Sequence, residues 1–157
     1  MGLLRVRPTG QEFDAILVHK ERLGVLLAAQ QAAELAGPAG TALDALTELE
    51  WVTFPRSDSP AWHDELTATL RSHGLDPRAQ APEGQRLIAE VKLAAVAAGR
   101  AFALAPPDWS QAIPEGVSWS PLVGHPLIRR TWAVWPADSR RQDLGRLIAA
   151  FEQPSSD

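Results

Sequence analysis

The residues of this chain that could do chemistry gather in one stretch, Arg56-Ser57-Asp58-Ser59 followed by His63 and Asp64. Ser57, Ser59 and the free N–H groups of a helix start can cradle a carboxylate, and Arg56 can add a charge-assisted bond. The same residues read equally well as a polar loop capping a helix. A third reading, a small hydrolase, would need Ser57 or Ser59 activated by a base that a third group orients. His63 and Asp64 are neighbours on a predicted helix and point in different directions, and the chain has no Gly-x-Ser-x-Gly elbow. Binding is therefore favoured over catalysis, with no catalytic residue assigned.

Other positions carry weaker signals. Gln85 and Arg86 open a predicted helix and could touch a ligand or simply stand in its exposed first turn. Arg5 and Arg7 close the first predicted strand; they could face a ligand or guard a sheet edge. Pro106, Pro107 and Asp108 follow a short apolar run, where a proline pair often serves only as a stop. Trp109 comes next and is the candidate for stacking on a ligand.

Metal and redox chemistry find little support. The chain has no Cys and four His, at positions 19, 63, 73 and 125, none spaced i, i+4. No metal or cofactor is expected. Net charge is −4 with a pI near 5.5, and the basic residues are scattered. A DNA-binding stripe is absent by that measure, and weak acidity disfavours an anionic membrane. No apolar run reaches the length of a membrane span, and the start, MGLLRVRPTG, does not resemble a signal peptide. The expected location is the cytoplasm.

The elements that must position these residues alternate. Strands are predicted at 3–6, at 13–18 and 23–28 (one long strand or two joined), at 50–54, 101–105, 117–122 and 128–135, with a weak one at 78–81. Helices are predicted at 30–36, from Pro60 to Gly74, at 87–98 and at 144–151, with single turns near 43–49 and 109–113. On the helix at 87–98, Leu87, Ile88, Val91, Ala94, Ala95 and Ala98 form the apolar stripe. Ser59 is the predicted N-cap of the second helix. Trp51, Trp62, Trp119, Trp132 and Trp135 are assigned to packing. Such alternation gives an α/β fold with a parallel or mixed sheet flanked by helices. Ligands then sit beyond the carboxyl ends of the strands, at Pro55–Ser59, Pro106–Trp109 and Gly84–Leu87.

Taken together, several stretches resemble the effector-binding domain of LysR-type transcriptional regulators. They are HKERLGVLLAAQ, LDALTELEWVTFPRSDSPAWHDELTATLRSHGLDP, VAAGRAFALAP, GVSWSPLVGHPLIRRTWAVW and LGRLIAAFE, in the family's order. The resemblance implies a periplasmic-binding-protein-like (type 2) two-lobed fold with the effector held between lobes. It places residues 1–49 in a partial first lobe, 50–123 in a second lobe, 124–152 in a return to the first, and 153–157 in a disordered tail. Gln31-Ala32-Ala33 stands where the family has His-Pro-Leu, so that turn is expected to be helical. Arg100 replaces a Leu and should face solvent.

The same resemblance implies that the family's helix-turn-helix and the first strands of the domain precede the part seen here. The first lobe is then expected to be incomplete and direct DNA contact absent. The implied function is sensing of a small, anionic effector through Arg5, Arg56, Ser57, Ser59, Gln85, Arg86, Pro106 and Trp109. The implied partner is a second copy or an intact regulator. The competing reading is an interaction fragment that holds no ligand, and a start codon placed too far downstream would also produce this pattern.

Overall fold

The computed structural model describes residues 1–77, 89–109, 112–139, 145–146 and 148–150. Nine strands are assigned among them: β1 (Gly2–Leu4), β2 (Phe13–Arg22), β3 (Gly24–Ala28), β4 (Ala36–Gly37), β5 (Gly40–Thr41), β6 (Glu50–Trp51), β7 (Ala101–Ala105), β8 (Val117–Pro121) and β9 (Ile128–Pro136). The helices are α1 (Ala29–Leu35), α2 (Pro60–Ser72) and α3 (Ala89–Ala97). The chain divides into two compact units, one of residues 1–20 and 129–157, the other of residues 21–128.

The larger unit is built on a four-stranded mixed sheet of order β6-β7-β3-β8. All five residues of β3 are buried: the strand lies between two antiparallel partners, and α1 and α3 pack against it. Val25, for example, pairs with Leu104 on one side and Ser120 on the other. A continuous apolar run suits such a doubly covered strand. Leu26, Val52, Val96, Ala101, Ala105 and Val117 form one core cluster, with Leu93, Trp109 and Trp119 packed against it. Phe102, Leu27, Leu46 and Leu70 are also fully buried. Each such side chain removed from water contributes about 1.5–3 kcal/mol.

Two buried hydroxyls hold the margin of this sheet. Thr41 lies 2.9 Å from Ser120, oxygen to oxygen, and the Ser120 hydroxyl donates to the carbonyl of Pro121. Gly40 beside it has φ +112°, and a Cβ there would fall well inside the Pro121 carbonyl group. Only glycine fits that conformation and that approach.

The smaller unit carries a three-stranded sheet of order β1-β9-β2. Leu3 of β1 pairs antiparallel with Ala133 of β9. Ala133 and Val134 are its buried residues among those described, whereas Leu3, Leu4, Phe13 and Leu17 remain exposed.

Several expectations are corrected. The run 13–28 forms two strands in different sheets, because Leu23 onward turns into the larger unit. The larger compact unit takes in residues 21–49 as well, with β3 as an inner strand of its sheet. The strand expected at 50–54 is assigned only at Glu50–Trp51, although Val52 N–H still reaches the Phe102 carbonyl. The expected stripe of α3 is displaced: Val91 is 47% exposed and Ala94 and Ala98 are exposed, while Val96 is buried and Leu93 and Ala95 pack on the core. Alanines lose little on exposure, so the larger Leu93 and Val96 set the face. No helical turn forms at 109 or 112–113. The strand expected at 78–81, Gly84–Leu87, most of the last helix and the tail at 153–157 lie outside the described residues.

Candidate functional site

β6 and β7 are parallel neighbours, with Glu50 opposite Ala101 and Trp51 opposite Phe102. Two parallel strands send their following loops to the same end of a sheet. The segments Val52–Ser59 and Pro106–Trp109 therefore leave one edge together, at the carboxyl end that the alternation of elements pointed to.

Arg56, Ser57 and Asp58 form a 3-10 turn that runs into α2. Ser59 occupies the N-cap position and Pro60 follows in the first turn, as expected, but the Ser59 side chain makes no capping bond. Its backbone carbonyl accepts the N–H of His63 at 2.9 Å. Among the described residues, the serine hydroxyls at 57 and 59 are uncommitted at a helix start.

Arg56 is committed. Its Nε and Nη2 donate to the two carboxylate oxygens of Asp64 at 2.8 and 2.7 Å. That bond raises the Arg56 pKa above its ordinary value and holds the Asp64 carboxyl below the usual carboxylate range. His63, one residue earlier on α2, packs against Trp51 (ring centroids 5.4 Å) and edge-on to Phe54 (5.6 Å). Burial pushes its imidazole pKa down, against the pull of Asp64, so the neutral ring is favoured. Its Nδ1 lies 3.4 Å from the Thr67 hydroxyl and 4.0 Å from Asp64. This geometry serves packing, since among the described residues neither the Ser57 nor the Ser59 hydroxyl bonds the His63 ring.

Pro106 is buried and Trp109 half-buried at the end of β7. The Trp109 indole Nε1–H is buried with no hydrogen-bond partner among the described residues. A buried unpaired donor is costly and uncommon, which makes it a mark of a ligand-facing position or a strain reservoir. Trp119 is the contrast, donating its indole N–H to the Ala105 carbonyl at 3.0 Å.

Lys92 of α3 went unnoticed in the sequence, where it stood beside an apolar stripe. Burial draws its ammonium pKa down, and Asp58 of the 3-10 turn opposes that shift. It brings a second cation near the loop. Arg5 belongs to the other unit, where its guanidinium donates to the Thr131 hydroxyl, while Arg7 stands 5.5 Å over the Trp132 ring. Gln85 and Arg86 lie outside the described residues.

Among the described residues, no cluster of three or more His, Cys, Asp or Glu is placed to hold a metal ion. No helix there is long and apolar enough to cross a membrane.

Residues 1–153 match the LysR substrate binding domain model, and the chain belongs to that family. These are transcriptional regulators. The chain is 27% identical over 153 residues to the HTH-type transcriptional regulator IlvR of Caulobacter vibrioides, covering 96% of this chain and 50% of that protein. It superposes on CbnR, a LysR family transcriptional regulator, with TM-score 0.70 at 20% identity, covering 96% of this chain and 50% of that one. The BenM effector binding domain with its effector benzoate also gives TM-score 0.70 at 20% identity, covering 98% of this chain and 72% of that chain. The fold is therefore the periplasmic-binding-protein-like α/β fold of these effector-binding domains. The chain spans about half the length of the full regulators it matches.

Proposed function

We propose that this chain senses a small anionic molecule, a carboxylate in the first instance, at the carboxyl end of the β6–β7 pair, and that it serves transcription regulation in the cytoplasm. The observation that carries the reading is the convergence of the Val52–Ser59 and Pro106–Trp109 segments from adjacent parallel strands. Ser57 and Ser59 would bind the carboxylate, Trp109 would offer its unpaired indole N–H, and Pro106 would shape the wall. Arg56 would contribute only on leaving Asp64. Gln85 and Arg86 remain part of the proposal on the strength of the family resemblance. Benzoate, the effector named for one structural neighbour, is a suitable first probe.

Thermal denaturation across a panel of small carboxylates tests this reading. A bound ligand raises stability by RT ln(1 + [L]/Kd), about 2.7 kcal/mol at one hundred times Kd. The shift should fall in a Ser57→Ala, Ser59→Ala double variant. A panel that moves nothing, at millimolar concentrations, would reject it.

A second reading rests on a different observation, the exposed Leu3, Leu4, Phe13 and Leu17 of the β1-β9-β2 sheet. Exposed apolar side chains on a small sheet with an open edge favour pairing with a second copy or with an intact regulator. Light scattering on the purified chain tests it, with a dimer expected.

A further inference from the structure

The larger unit carries a cavity of about 460 Å³ that shares only Arg56 with the effector site proposed above. It lies along α2, lined by Trp51, Thr53, His63, Thr67 and Arg71, with Arg56, Asp64, Asp76 and Pro77 completing the wall. Neither Ser57 nor Ser59 lines it. The volume falls within the roughly 300–1,000 Å³ typical of small-ligand clefts.

Two rings line it, the buried Trp51 indole and the His63 imidazole tilted 35° to it. Phe54 meets His63 edge-on. Thr53 and Thr67 on its wall are half-buried. Arg56 and Asp64 neutralise one another in their two-bonded ion pair. Among the described residues, the Arg71 guanidinium has no ion-pair or hydrogen-bond partner, whereas Asp76 on the same wall has one. Two aromatic side chains beside a guanidinium with no such partner, on a wall where Asp64 and Asp76 are each engaged, are complementary to a flat ring bearing one carboxylate. An amine or a dication would meet Arg71 with like charge.

We infer that this cavity is a second small-molecule site, separate from the loop end at Ser57, and that it takes a small aromatic monocarboxylate with its ring on Trp51 and His63 and its carboxylate on Arg71. The Arg56–Asp64 pair forms a wall of this site and is retained on binding. His63 enters as a neutral aromatic surface.

The test uses the whole chain labelled with 13C on histidine and 15N on tryptophan, titrated with benzoate. The His63 ring protons should shift in a saturable manner, assigned by their loss in His63→Gln. Arg71→Ala should weaken that response by about tenfold or more, the effect of losing a charge-assisted bond. Arg71→Lys should restore part of it. The Ser57→Ala, Ser59→Ala variant should leave the His63 response in place, because those residues touch the other site. Shifts confined to the Trp109 indole, with His63 silent, would overturn the second site while leaving the effector reading intact. A His63 shift indifferent to Arg71→Ala would also overturn it. A His63 response without any at Trp109 would uphold the second site and count against the effector reading.

Discussion

Arg56 donates two hydrogen bonds, at 2.8 and 2.7 Å, to the carboxylate of Asp64 eight residues ahead. The residue that best fits an anion-binding role by type is thereby occupied by an anion of the chain itself. Both groups are exposed, so the pair adds little to stability and is weakened by salt. Its effect is on availability: the guanidinium must exchange one carboxylate for another.

Asp64→Ala should therefore tighten binding of a carboxylate at the Ser57 loop by freeing Arg56. Calorimetric titration with benzoate at low and high salt measures it. The gain should shrink as salt rises, and an unaltered affinity would remove Arg56 from the effector's partners.

His63 predicts a pH effect whose sign is fixed by its depressed pKa. The unfolded chain binds a proton at His63 more readily than the folded chain does, so stability rises with pH between the folded and unfolded values. The contribution is complete above the ordinary histidine value of 6.5 and is lost as the pH falls below it. Urea denaturation of wild type and His63→Gln between pH 5 and 8 should show a steeper acid-side loss in the wild type.

The register of α3 can be tested by paired truncations. Val96→Ala should cost about 2 kcal/mol, because Val96 is fully buried in the core cluster. Val91→Ala, at a position 47% exposed, should stay within about 0.5 kcal/mol of wild type. Equal losses would restore the stripe expected from spacing alone.

Gly40→Ala should destabilise the larger unit by about 2–4 kcal/mol, combining a left-handed backbone penalty with a collision against Pro121. Gly116→Ala shares the positive φ, +86°, but meets open space, so it should cost only about 1–2 kcal/mol. Chemical denaturation of the two variants separates conformation from crowding.

Much of this was legible in the residues. Ala101–Ala105 read as a strand because an apolar run is stopped by Pro106-Pro107, and α2 begins at Pro60 and stops at Ser72, just before Gly74 with its positive φ. Gln31 sits in α1, and Arg100 is exposed, as expected. What failed was long-range. Nothing local says that the 13–28 run divides between two sheets, since Phe13 and Leu23 are equally apolar. An alanine-rich helix such as α3 offers several nearly equivalent faces, and only the sheet beneath it selects Val96. Lys92 was hidden for the same reason. The Arg56–Asp64 bond was missed because each residue was weighed for an outside partner and not against the other.

The pairing of β3 has a consequence for how the chain is made. Val25 reaches its partners only at Leu104 and Ser120, 79 and 95 positions later by subtraction of the residue numbers. At about 5–20 residues per second of synthesis, the apolar run Val25–Leu27 waits roughly 5–20 seconds before its second neighbour exists. The larger unit therefore assembles only once β8 has been made. Until then its most buried strand is its most exposed one, open to any chaperone that recognises extended apolar segments.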